Sequence, residues 1–192
     1  TAAEVFGVDL SNVSDNQRRS AKAINFGLIY GMSSFGLAKQ LDITRVDAQQ
    51  YIDIYFSRYP KIKQYMEEIR VKAANYGYVE TIFGRRLKIN NINAAQTRLR
   101  QYAERTAINA PMQGSAADLI KMAMISSDHL ITDSSFDASL ILQVHDELVF
   151  EVDESCLDRF KIELQKCMEE VVTLMVPLKV SVGAGMNWGD AH

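Results

Sequence analysis

Arg18-Arg19-Ser20-Ala21-Lys22-Ala23-Ile24-Asn25-Phe26-Gly27-Leu28-Ile29-Tyr30-Gly31 is the stretch on which the reading of this 192-residue chain turns. Arg18, Lys22, Phe26 and Tyr30 step by four residues. At 3.6 residues per turn each step drifts only about 40° around a helix axis, so the four form one slowly turning stripe. Ser14 and Gln17 precede it with the S-x-x-Q spacing of a capping box. Arg18 and Phe26 would lie about 12 Å apart along the axis, so cations near the N-terminal end could hold phosphates while Phe26 packs against a sugar or base. The helix dipole favours the same polarity. Taken alone, such a stripe also fits a solvated helix face beside a core edge.

Outside this helix, composition sets the bounds. The chain is long enough for one domain or two small ones with a real core. It has no run of eighteen apolar residues and no charged-then-apolar start, which speaks against a membrane span or signal peptide. Thr1 in place of Met suggests a piece of a longer chain. Cys156 and Cys167 are expected in one helix about three turns apart, too far for a disulfide, and fit a reducing compartment. The net charge of -3 is unevenly spread. Residues 1–50 carry five basic and five acidic side chains, residues 51–110 eleven and five, and residues 111–192 five and fourteen. A basic middle suits phosphate backbones; an acidic end suits a hydrated surface and metal binding.

Apolar residues spaced by three and four over residues 44–75 predict two helices broken at Pro60, with Gly77 ending the second. Residues 78–83 and 84–89 then read as two short strands around a glycine turn. An Arg-rich helix over 94–109 is expected to stop at Pro111, and another to run over 115–130. A buried strand–turn–strand follows over 139–152, then an amphipathic helix over 154–175 and a strand over 178–182. Met122, Met124 and Met168 read as core packing, and Trp188 as an anchor for the C-terminal segment. His129 and His192 lack zinc spacing, and no glycine-rich phosphate loop is present.

Two further clusters carry chemistry. The first is Val144-His145-Asp146-Glu147-Leu148-Val149, an acidic hairpin tip between apolar strands, which by itself is compatible with a solvated turn. In the second, Arg105, Asn109 and Gln113 repeat every four residues, with Pro111 expected to bend their path. That spacing equally describes a polar helix end. Arg85 and Arg86 on the earlier hairpin could meet phosphate or simply be solvated.

Together these stretches resemble family A DNA polymerases over essentially the whole chain. Arg18-Arg19-x-x-Lys22-x-x-Asn25-Phe26-Gly27-x-x-Tyr30-Gly31 is similar to the fingers helix, extended by Leu28, Ile29, Met32 and Phe35-Gly36-Leu37. Val144 to Val149 resembles palm motif C. Glu104 to Asp118 resembles the stretch whose Arg, Asn and Gln contact primer-template backbone and minor groove, where acceptors common to all base pairs allow a sequence-independent check of pairing. Asn90-Asn91 stands where relatives commonly have Pro-Asp.

The resemblance implies an α+β fold, with residues 1–80 mainly a helical fingers subdomain and residues 81–192 the later part of an antiparallel palm with packed helices. It implies a template-directed DNA polymerase of replication and repair, bacterial, cytoplasmic and monomeric, with primer-template DNA and dNTP as partners and no membrane. Two Mg2+ ions roughly 4 Å apart would serve the transfer. Asp146 and Glu147 are the implied metal-binding, catalytic carboxylates. Arg18 and Lys22 would be catalytic and nucleotide-binding, Lys22 donating a proton to the leaving pyrophosphate. Phe26 and Tyr30 would also bind the nucleotide. A Phe at position 26, where some relatives carry Tyr, goes with discrimination against dideoxynucleotides. Arg105, Asn109, Gln113, His145 and Tyr30 would touch DNA. The motif A Asp and the thumb are expected upstream, since residues 1–7 resemble the segment after motif A, so this piece alone is expected to be inactive. The competing readings are a nonenzymatic DNA-binding module, a metal-dependent phosphotransferase or nuclease using Asp146 and Glu147, and a structural helical domain.

Overall fold

The computed structural model describes residues 2–191, and its fold is α+β. Thr1 and His192, both named above, lie outside the described residues. Two compact units divide the chain, Thr1–Gly114 and Ser115–His192. The first holds α1 (Ala2–Phe6), α2 (Asp15–Ile29), α3 (Ser34–Leu41), α4 (Arg45–Arg58), α5 (Pro60–Tyr76) and the antiparallel hairpin β1 (Tyr78–Glu80) and β2 (Arg86–Lys88). α6 (Thr97–Ser134) runs through the division. The second unit adds the hairpin β3 (Ala138–Val144) and β4 (Glu147–Val152), then α7 (Leu157–Glu169).

Local chemistry accounts for the boundaries in the first unit. Ser14, Ser33 and Thr44 each accept a backbone N–H of the following turn, and the Ser14/Gln17 capping box is complete. Pro60 occupies the first position of α5, where its missing N–H costs nothing. Gly77 ends α5 at φ +74°, a conformation that glycine adopts without a Cβ penalty. α2 turns Ile24 and Leu28 into a core with Leu37, Ala48 and Tyr55. A second core collects Ala73, Val79, Ile89, Ile92, Ala103 and Ala107 from α5, the hairpin, the following loop and α6. Beside the first core, Met32 fills space that two glycines leave open. A Cβ on Gly27 would come within 2.6 Å of Met32 Cε, and one on Gly36 within 2.9 Å of Met32 Cγ.

Four expectations are corrected. The helix does not stop at Pro111, because α6 is continuous for 38 residues with that proline inside it. An interior proline costs about 3 kcal/mol, and burying one large aliphatic side chain returns about 1.5–3 kcal/mol. Ile108 and Ala107 are fully buried just before the proline, and at Gly114 the helix presses on the hairpin so closely that a Cβ would lie 2.8 Å from Thr81 Cγ2 and from Leu87 Cδ1. Packing therefore outweighs the local break.

The last helix is shorter than expected. It is preceded by a 3-10 turn at Glu154–Cys156, so Cys156 stands before α7 and only Cys167 lies within it; both are free thiols. It stops before Val171-Val172-Thr173, three β-branched residues that resist helical χ1 restriction. The strand expected over 178–182 does not form. The Val180 carbonyl accepts from Gln165 Nε2, and its N–H donates to Glu169 Oε1, so side chains of α7 take the groups that a ladder would use. Last, the β3–β4 strands are not buried: every residue is exposed or half-buried, and Ile141 and Leu142 face solvent. Trp188 is 47 % exposed in a terminal 3-10 turn.

The core of the second unit is correspondingly small: Phe136, Phe160 and Leu164, bordered by Phe150, Val152 and Met168. Phe160 meets both Phe136 and Phe150 edge-on, at ring-centroid distances of 5.2 and 5.5 Å. Met122 and Met124 are half-buried on α6. Among the described residues no helix is long and apolar enough to cross a membrane.

Candidate nucleotide and nucleic-acid site

The rotation of α2 is set by what it buries. Ala21, Ile24, Gly27 and Leu28 face inward, so Arg18, Lys22 and Phe26 are left exposed and Tyr30 half-buried. The expected stripe is present as a physical row. Lys22 Nζ lies 5.9 Å from the Phe26 ring centroid, in cation–π range. Phe26 and Tyr30 stack at 6.1 Å with 29° between their planes. The row thus runs from cation to ring to phenol along one face, and Phe26 remains 49 % exposed, open to a further flat group.

Tyr30 caps the helix, and the chain reverses at Gly31 with φ +77°; the Gly31 and Met32 amides donate to the Leu28 and Gly27 carbonyls. At this turn the structure brings together two groups that are distant in sequence. The space where a Gly31 Cβ would sit is 3.3 Å from Arg105 Cγ and 3.8 Å from Ile108 Cδ1. Arg105 therefore stands beside the C-terminal end of α2. Tyr65 Oη donates to the Ile108 carbonyl at 3.3 Å, tying α5 to the same part of α6.

Because α6 is unbroken, Arg105, Asn109 and Gln113 share one slowly turning face about 12 Å long. Arg105 and Gln113 are exposed and Asn109 is half-buried. Asn109 Oδ1 is buried and accepts no hydrogen bond among the described residues. The sequence reading missed Gly31 and Gly114 as packing positions of this site. Their spacing carries no periodic signal; only the closeness of Arg105 and Thr81 exposes their role.

In the second unit, β3 and β4 pair from Ala138↔Val152 to Val144↔Glu147, leaving His145 and Asp146 as a two-residue turn. His145 adopts φ +54°, and Gln143 Nε2 donates to its carbonyl at 2.8 Å. A left-handed non-glycine residue costs about 1–3 kcal/mol, a strain that clusters at functional sites. His145, Asp146 and Glu147 are all exposed. No cluster of three or more potential metal ligands occurs among the described residues. Two exposed carboxylates nevertheless suit Mg2+, which keeps most of its waters and binds through one or two carboxylates plus substrate phosphates.

Residues 1–190 match the profile of DNA polymerase family A, and the chain belongs to that family. Over all 192 residues it is 57 % identical to DNA polymerase I of Pseudomonas aeruginosa and 50 % identical to that of Lactococcus lactis subsp. lactis. It spans 21 % and 22 % of those proteins, about a fifth of the length of the curated relatives it matches. A solved structure, the POL domain of Pol1 from M. smegmatis in complex with DNA primer-template and dNTP, superposes with a TM-score of 0.94 at 40 % identity, covering 99 % of this chain and 34 % of that one.

Proposed function

We propose that this chain is the fingers and later palm portion, residues 1–80 and 81–192, of a bacterial template-directed DNA polymerase acting in replication and repair. The observation that carries the reading is the exposed row on α2, a lysine over a phenylalanine stacked on a tyrosine, in a member of family A. Primer-template DNA and dNTP are the partners, as in the complex of the M. smegmatis relative. The parent works as a monomer in the cytoplasm.

Arg18 and Lys22 hold the triphosphate, and Lys22 passes a proton to the departing pyrophosphate. Phe26 offers its open ring face to the nucleotide sugar and base and disfavours dideoxynucleotides. Tyr30, fixed by its stack on Phe26, guards the place next to the template base. Arg105 meets DNA backbone, while Asn109 and Gln113 reach minor-groove atoms common to every base pair. In the second unit Asp146 and Glu147 would hold Mg2+, and the strained turn presents His145 to the primer terminus. When bound, the two ions would make the primer 3'-hydroxyl a better nucleophile and offset charge on the leaving oxygen.

The test is dNTP incorporation by the complete parent. Asp146→Ala and Lys22→Ala should each lower the rate by about 10²–10⁴-fold; an unchanged rate in either would remove that residue from the mechanism. The 192-residue chain alone should extend no primer, and measurable extension would overturn the expectation that ligands elsewhere in the parent are needed.

A further inference from the structure

The outer face of the β1–β2 hairpin is not used by the mechanism above. Its register pairs Tyr78 with Lys88 and Glu80 with Arg86, so by the two-residue period of strands these four share one face, while Val79 and Leu87 point to the core on the other. On that outer face the Arg86 guanidinium lies 4.7 Å from the Tyr78 ring centroid. The Tyr76 ring, at the last residue of α5, sits 6.0 Å from Tyr78 at 43°, and Tyr76 is 65 % exposed. Two phenol rings and a planar cation thus form a continuous stair.

We infer that this stair, Tyr76–Tyr78–Arg86 with Lys88 beside it, is a second nucleic-acid surface that binds a single strand by base stacking. The charge supports that occupant. Over residues 72–88, Lys72, Arg85, Arg86 and Lys88 stand against one acid, Glu80. Glu80 is itself engaged by Lys72 at 2.6 Å and Arg86 at 3.5 Å, which holds the guanidinium over Tyr78. The hairpin is a firm base. Thr81 Oγ1 accepts from the Phe83 and Arg85 amides, and Gly84 supplies the positive φ at the turn. Unpaired bases expose both π faces, so such rings hold any sequence, whereas a duplex hides its base faces in its own stack. The surface lies within the first unit and goes beyond the assignment of Arg18, Lys22 and Asp146.

The test uses the 192-residue chain and fluorescence anisotropy with labelled dT12, compared with an abasic 12-mer of equal charge, without primer, dNTP or magnesium. Stacking predicts that the wild type prefers dT12 by at least about fivefold, that Tyr76→Ala abolishes the preference and that Tyr76→Phe restores it. Lys88→Gln should lower the slope of log Kd against log salt by about 0.7. Circular dichroism of each variant checks the fold. Equal binding of the two probes, an unchanged preference in Tyr76→Ala, or a preference lost through Lys22→Ala instead would overturn the inference. So would equally tight binding of a poly-glutamate peptide with the same dependence on Tyr76, which would make the face a protein dock.

Discussion

Among the described residues are two antiparallel hairpins with opposite fates. In β1–β2, Val79 is fully buried and Leu87 packs on the same core, because α5 and the first part of α6, around Ala103 and Ala107, close over one face. Its turn is tied internally through Thr81. In β3–β4 no residue is buried, the register slips between Leu140 and Leu142, and apolar Ile141 and Leu142 face water. Only the end of that hairpin, at Ala138, Phe150 and Val152, borders the Phe136–Phe160 core. Alternation tells which side chains share a face. Whether a face is covered depends on other elements, and alternation does not report it.

Stability measurements can sharpen or break this contrast. The largest difference should come from paired truncations. Val79→Ala removes two carbons from a closed core and should cost about 2–3 kcal/mol in urea denaturation. Ile141→Ala should stay within about 0.5 kcal/mol. Equal costs would mean that the second hairpin is covered in solution.

A smaller effect is expected where α6 meets the first hairpin. Gly114→Ala places a Cβ 2.8 Å from Leu87 Cδ1, which can swing away, and from Thr81 Cγ2, which is stiff, for a loss of about 1–2 kcal/mol. A neutral result would show that the helix can lift from the hairpin without penalty.

The smallest effect is a pH dependence. Glu80 sits below the ordinary carboxylate range, first because Lys72 donates a hydrogen bond to it, with the Lys72 charge and Arg86 adding to this against desolvation. A lowered folded pKa means that the folded state favours the ionised form. Its support is whole above about pH 4.5 and is lost as pH falls through the lowered value. The protection factors of the Tyr78 and Lys88 amides, with the intrinsic slowing of exchange in acid divided out, should therefore fall under acid, and Glu80→Gln should remove that dependence. Identical acid profiles in both proteins would leave Glu80 without a part in holding the hairpin.

The features legible in the sequence were those decided within a few residues. The Ser14/Gln17 cap, the break at Pro60, the stop at Gly77 and the α2 stripe each depend on one turn of chain. The features that escaped were decided by distant partners. Pro111 is carried through a helix by packing around Ile108 and Gly114, and Val180 is diverted from a strand by Gln165 and Glu169. Within the candidate site, the spacing of Arg105, Asn109 and Gln113 was visible, but the seating of Arg105 at the Gly31 turn was not, since 74 positions separate them.

Met32, lodged in the room left by Gly27 and Gly36, gives these three positions a shared fate. A methyl at either glycine collides with a thioether that has its own place to keep, and a shorter residue at position 32 leaves a hollow that neither glycine can fill. Substitutions there should be strongly non-additive, so a route from this sequence to another arrangement at the end of α2 passes through poorer intermediates. The triple should therefore tolerate change only as one unit, even though its members lie up to nine positions apart.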